Sequence, residues 1–194
     1  IFEAILEDLS AKRELFARLE SLVSDDCILA TNTSSLLVTA IAATCIRPER
    51  VAGAHFFNPV PLMKIVEIVS GVRTDPAVTD QLSALVRRCG HAAVQVSDTP
   101  GFLVNHAGRG LYTEGIRILS EGVAPVHAID EVLCDVVGFR LGPFQLFDLT
   151  GLDVSFPVLQ QIYHAYFEEP RFRPVPLLQR QVAAGLFGRK AGRG

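Results

Sequence analysis

Apolar positions in the first hundred residues change period repeatedly. Ile1–Ile5 is a short apolar run of strand type. Over Glu7–Val23, Leu9, Leu15, Phe16, Leu19 and Leu22 recur roughly three and four apart, which predicts a helix closed by Asp25 and Asp26. CILA at 27–30 reads as a strand running into the polar cluster TNTSS at 31–35. Leu36–Thr44 then reads as a short helix that a Ser or Thr of the cluster can cap. Apolar runs at Arg50–Phe57 and Lys64–Val69 predict two strands around a turn in which Pro59 and Pro61 forbid helix. Thr74-Asp75-Pro76 opens a helix with a capping residue and an early proline, Gly90 closes it, and His91–Val96 is another strand. This alternation is that of the second half of a doubly wound α/β sheet. The TNTSS turn falls at the carboxyl end of a strand, where such sheets bind ligands.

After Ser97 the pattern becomes helical. Segments starting at Asp98-Thr99-Pro100-Gly101, Pro125, Gly142-Pro143, Asp153 and Pro176 predict five helices, the first reaching about Glu121. No strand pattern returns. The chain therefore reads as α/β plus all-α, with one domain over 1–97 and another over 98–194.

Composition narrows the class. With 49% hydrophobic and 20% charged residues over 194 positions, the chain is of the globular type. A net charge of −3 offers no electrostatic footprint for nucleic acid or an anionic membrane, and no apolar run approaches a membrane span. Cys27, Cys45, Cys89 and Cys134 are scattered without metal-ligand spacing, which predicts no metal site and a reducing, cytoplasmic setting. The chain opens on Ile1 without Met and stops at Gly192-Arg193-Gly194, so a segment of a longer polypeptide is expected.

Candidate chemistry centres on Val51–Val69, VAGAHFFNPVPLMKIVEIV. Glu67 is a lone carboxylate in an apolar run, and a buried charge is costly unless paired. His55, in HFFNP, is the nearest candidate partner. The residues alone leave two readings open. One is a core histidine with Glu67 on an exposed edge. The other is a dyad, with the imidazole as general base and the carboxylate fixing its tautomer. Ser34 and Ser35 read as helix caps or as hydroxyl donors to a substrate oxygen. Asn58 reads as a turn residue before Pro59. Asn105 faces either a cleft or water. Gly108-Arg109-Gly110 lies in a helical segment and not after a strand, so it is no dinucleotide fingerprint.

Taken together, TNTSSL at 31–36, GAHFFNPVPLMKIVEIV at 53–69, DTPGFLVN at 98–105 and GFRLGPFQLFDLTGLD at 138–153 resemble the L-3-hydroxyacyl-CoA dehydrogenase family. The resemblance continues through EEPRFRPVPLL at 168–178 and GLFGRKAGRG at 185–194, and so covers essentially the whole chain. It implies part of a Rossmann-like NAD-binding domain, followed by a helical domain used for substrate and for a homodimer. By it, His55 is the base, Glu67 its orienting carboxylate, Ser34 a donor to the substrate oxygen beside the nucleotide, and Asn105 a holder of the substrate carbonyl and catalytic water. Asn58, Glu7, Lys12 and Lys190 match NAD-contacting positions. The implied reaction is oxidation of an (S)-3-hydroxyacyl-CoA to a 3-ketoacyl-CoA with NAD, in fatty-acid or aromatic-acid β-oxidation. The rival is a non-catalytic relative kept for dimerisation. Two departures stand out. The family's GxGxxG half is not in this stretch, so the chain alone is expected to bind NAD poorly and not to turn over. His106 stands where many relatives carry arginine.

Overall fold

The computed structural model describes residues 1–194, apart from the side chains of Arg109 and Leu111. It forms two compact units, Ile1–Leu103 and Val104–Gly194.

In the first unit five strands lie side by side in sequence order: β1 (Phe2–Glu3), β2 (Leu29–Thr31), β3 (Val51–Phe56), β4 (Ile65–Ser70) and β5 (Ala92–Ser97). The pairs β1–β2, β2–β3 and β4–β5 are parallel, while β3–β4 is antiparallel. The parallel connections carry helices: α1 (Leu9–Glu20), α2 (Val38–Ala42) and α3 (Pro76–Arg88). The mixed sheet with flanking helices agrees with the expected doubly wound architecture. One face, with Leu29, Val51 and Val69, packs on Phe16 of α1 and Val38 and Ile41 of α2. The other, with Ala30, Ala52, Ala54, Val66 and Ile68, packs on Val78, Leu82 and Val86 of α3.

Helix starts show how local chemistry was used. Asp8 caps α1, accepting from the Ala11 N–H at 2.8 Å. Asp75 does the same for α3, with Pro76 in its first turn. For α2 the structure corrects the sequence. Neither Ser34 nor Ser35 caps it, because its first residue follows Leu37. The cap comes instead from Asp98, whose carboxylate accepts from the N–H groups of Val38 (2.9 Å) and Thr39 (2.7 Å). The long helix expected from Asp98 accordingly begins later, at Val104. Asp98 is turned back to α2, and Gly101 (φ 79°) and Phe102 (φ 48°) are left-handed, which breaks any helix there. Phe102 is buried against the α1/α2 core, so Asp98–Leu103 packs with the sheet, whereas the sequence divides the chain at 97.

The second unit contains α4 (Val104–Ser120), α5 (Val126–Glu131) running into a π-helical turn at Val132–Val136, α6 (Pro143–Thr150), α7 (Leu152–Ala165) and α8 (Pro176–Ala183). Ile116, Phe147, Leu152, Leu159 and Leu178 form its core. Buried Asp130 caps α6 through the N–H groups of Phe144 and Gln145, both at 3.0 Å. Gly188 and Arg193 pair in an isolated antiparallel bridge where no strand was expected.

Candidate active site

The register of β3 against β4 sets His55 directly opposite Glu67. Both side chains therefore leave the sheet on the same face, and both are buried. The His55 Nδ1 lies 2.7 Å from Glu67 Oε2. The other carboxylate oxygen accepts the Leu103 N–H at 2.8 Å. With Nδ1–H donated to the carboxylate, the imidazole presents its lone pair at Nε2, the arrangement of a general base. The rings of Phe57 and Phe102 flank it, at centroid distances of 4.4 and 5.7 Å. The reading of Glu67 on an exposed edge is excluded, since β4 is internal to the sheet.

A second cluster lies at the carboxyl ends of β1 and β2. Glu7 Oε1 accepts from the Thr33 hydroxyl (2.6 Å), the Ser34 N–H (2.9 Å), the Ser35 N–H (3.0 Å) and the Ser35 hydroxyl (2.9 Å). Partial burial raises the Glu7 pKa. The hydrogen bonds from Thr33, Ser35 and Ser34 and the nearby Lys12 charge outweigh it and hold the carboxyl below the usual range. Lys12 is itself buried, its ammonium 2.7 Å from Glu3 Oε1 and 3.5 Å from Glu7 Oε2. Glu3 also accepts the Thr31 hydroxyl at 2.7 Å. Asn32 joins the cluster to the dyad strand, its Oδ1 accepting the Phe56 N–H at 2.8 Å.

The remaining candidates are more dispersed. Asn58 is exposed in the β3–β4 connection. In the second unit Asn105 is the second residue of α4. Its neighbour His106 has Nδ1 2.8 Å from the Tyr166 hydroxyl and packs edge-on against Tyr166 and Phe172. Lys190 pairs with Asp153 at 2.6 Å, and this holds the Asp153 carboxyl below its ordinary range.

Sequence reasoning missed Glu3, Asn32, Asp98 and the Leu103 N–H. Glu3 carries the same signal that exposed Glu67, a carboxylate within an apolar strand. Asp98 carries no local signal, since its partners lie about sixty residues earlier. Among the described residues no group of three or more His, Cys, Asp or Glu has metal-holding geometry. No described helix is long and apolar enough to cross a membrane.

A mixed α/β sheet covered by helices on both faces and carrying a carboxylate-paired imidazole, followed by a helical unit, defines a class: Rossmann-like α/β proteins, whose sheets bind ligands at the carboxyl ends of their strands. The comparisons with known proteins make the class specific. Residues 1–99 match the family model "3-hydroxyacyl-CoA dehydrogenase, NAD binding domain", and residues 101–194 match its C-terminal domain. The chain belongs to the 3-hydroxyacyl-CoA dehydrogenase family. It is 45% identical over 194 residues to a 3-hydroxyadipyl-CoA dehydrogenase of Escherichia coli, covering 100% of the chain and 41% of that protein. It is 40% identical over 190 residues to a 3-hydroxybutyryl-CoA dehydrogenase of Clostridioides difficile, covering 98% and 67%. The crystal structure of a 3-hydroxybutyryl-CoA dehydrogenase from Escherichia coli superposes with a TM-score of 0.97 at 46% identity, over 100% of this chain and 41% of that one. The chain thus spans between 41% and 67% of the length of these curated relatives.

Proposed function

We propose that this chain supplies the proton-transfer site of an NAD-dependent 3-hydroxyacyl-CoA dehydrogenase, converting an (S)-3-hydroxyacyl-CoA to the 3-ketoacyl-CoA in β-oxidation. The observation that carries the reading is the buried His55–Glu67 pair at 2.7 Å. His55 Nε2 takes the C3 hydroxyl proton as the carbonyl forms. Glu67 holds the tautomer that leaves Nε2 free to accept, and stabilises the imidazolium once the proton arrives. Ser34 donates to the same substrate oxygen, and Asn105 orients the substrate carbonyl and a water.

The residues present fit one side of a nicotinamide site. A turn anchored on Glu7 stands at the carboxyl ends of parallel strands, the place where open α/β sheets take nucleotides. Ser34 and Asn58 would hold NAD there, with Glu7 fixing the turn and Lys12 supporting Glu7. NAD, when bound, supplies the acceptor for the C3 hydride. Exposed Val126, Val132, Val136, Val137 and Phe139 in the helical unit support a homodimer through that unit. Four free cysteines support a reducing, cytoplasmic setting. The non-catalytic alternative is disfavoured, because a buried charged pair adds little to stability over an apolar replacement.

The test follows NADH absorbance with acetoacetyl-CoA, using the full-length polypeptide that carries this chain and its His55→Gln variant. The wild type is expected to oxidise NADH, and the variant to be slower by about 100- to 10,000-fold. Equal rates, or no activity in either protein, would overturn the assignment.

A further inference from the structure

We propose that Glu7 is a positioning residue for Ser34: it holds the TNTSS turn in the shape that aims the Ser34 hydroxyl at the substrate oxygen. The inference rests on the reading of Ser34 given above and assigns Glu7 a role other than contact with the cofactor. Four donors from Thr33, Ser34 and Ser35 converge on one oxygen, Oε1, at 2.6–3.0 Å. Such convergence suits an anion, since charge-assisted bonds are the strong ones. The Ser34 N–H is among the four, so Glu7 fixes the backbone from which the Ser34 side chain springs.

The support runs deeper than one side chain. The other Glu7 oxygen lies 3.5 Å from the buried Lys12 ammonium, which is paired with Glu3. Glu3 in turn accepts from the Thr31 hydroxyl and from the Ile5 N–H at 2.6 Å. Both ends of the turn therefore hang on two carboxylates joined by one lysine. The third tie, Asn32 to the Phe56 N–H, references the turn to the residue that follows His55. Removing Glu7 releases Thr33, Ser34 and Ser35 from this anchor while Thr31 and Asn32 stay tied to Glu3 and to the Phe56 N–H.

A mutant cycle in the full-length polypeptide tests this, with kcat and KM measured for (S)-3-hydroxybutyryl-CoA and for NAD. The variants are Ser34→Ala, Glu7→Ala, Glu7→Gln and the double variant Glu7→Ala/Ser34→Ala. Loss of a single oriented donor is expected to lower kcat/KM for Ser34→Ala by about 100-fold. Glu7→Ala is expected to show a similar loss, carried in kcat, with KM for NAD within about twofold. The double variant should fall within about threefold of Ser34→Ala alone, because coupled residues do not add. Glu7→Gln should recover part of the loss, since its amide oxygen still accepts from the Ser34 and Ser35 N–H groups. Thermal unfolding checks each protein, and if Glu7→Ala does not fold, the cycle is run with Glu7→Gln. Losses that multiply in the double variant would overturn the proposal, as would a Glu7→Ala effect confined to KM for NAD. So would unchanged activity in Glu7→Ala where Ser34→Ala is impaired. Full activity in Ser34→Ala would instead remove the reading of Ser34, and the proposal with it.

Discussion

Replacing Glu67 by glutamine is the most direct perturbation of the dyad, because the side chain keeps its shape while one acceptor oxygen becomes an NH2 donor and the charge is lost. Glu67 Oε2 accepts from His55 Nδ1–H at 2.7 Å and Oε1 from the Leu103 N–H at 2.8 Å. A glutamine has one acceptor to offer. If its oxygen faces Leu103, its NH2 faces His55 and donates to Nδ1, which forces the ring proton onto Nε2 and removes the base. If its oxygen faces His55, the NH2 meets the Leu103 N–H and a buried donor goes unsatisfied. The second arrangement costs about 1–3 kcal/mol in stability, which favours the first. The first costs catalysis: a carboxylate-to-amide change behind a catalytic histidine lowers kcat about 10,000-fold through the wrong tautomer. In the full-length polypeptide, kcat for (S)-3-hydroxybutyryl-CoA, read from NADH absorbance, should fall by about three to four orders of magnitude with the urea midpoint little changed. A Glu67→Gln enzyme with kcat within about threefold of wild type would refute the reasoning, since it would mean that the tautomer of His55 does not limit the reaction.

Two further predictions concern stability. A Cβ on Gly142 would meet the Asp130 carboxylate that caps α6, so Gly142→Ala must displace that cap. It should lose about 1–3 kcal/mol, seen as a lower thermal midpoint, and an unchanged midpoint would show that Asp130 moves without cost. Because the Glu7 carboxyl lies below its ordinary value of 4.5 in the folded chain, its stabilising contribution is complete above that value and lost as pH falls through the depressed one. The urea-midpoint advantage of wild type over Glu7→Gln should therefore be full at neutral pH and shrink below about pH 4.5, and an advantage that persisted under acid would contradict it.

The sequence disclosed some of this directly. Strand and helix alternation is written in the period of the apolar residues, and it yields every strand of the sheet. Strand direction is not written there. The link between Phe56 and Ile65 looks like any turn, and only the folded chain reveals that β4 returns antiparallel to β3. Glu67 was legible because a charge in an apolar run demands a partner. The Leu103 N–H was not, since every residue but proline has a backbone donor and composition never marks the one that matters. Asp98 misled for a physical reason. Aspartate before Thr-Pro-Gly is a good local helix start, but two waiting N–H groups at the head of α2 compete for the same carboxylate and win.

That capture of Asp98 bears on how the two halves of the site are held in one frame. On the dyad face of β3, Val51, Gly53 and His55 alternate with residues facing α3. Gly53 lies opposite Val69, and a Cβ there would come within 2.7 Å of the Val69 Cβ and 3.0 Å of Val38 Cγ2. The missing side chain is what lets the first turn of α2 rest on the strand that carries His55. Asp98 fixes the same turn from the far edge of the sheet, and the TNTSS loop leads straight into it. The position of Ser34 relative to His55 is thus a consequence of sheet packing, with Glu7 setting only its last detail. A slip of one residue in the β3–β4 register would send His55 to the α3 face and break its pairing with Glu67. The dyad is therefore a property of the register, and Gly53 is as necessary to the geometry as the two residues that carry the charge.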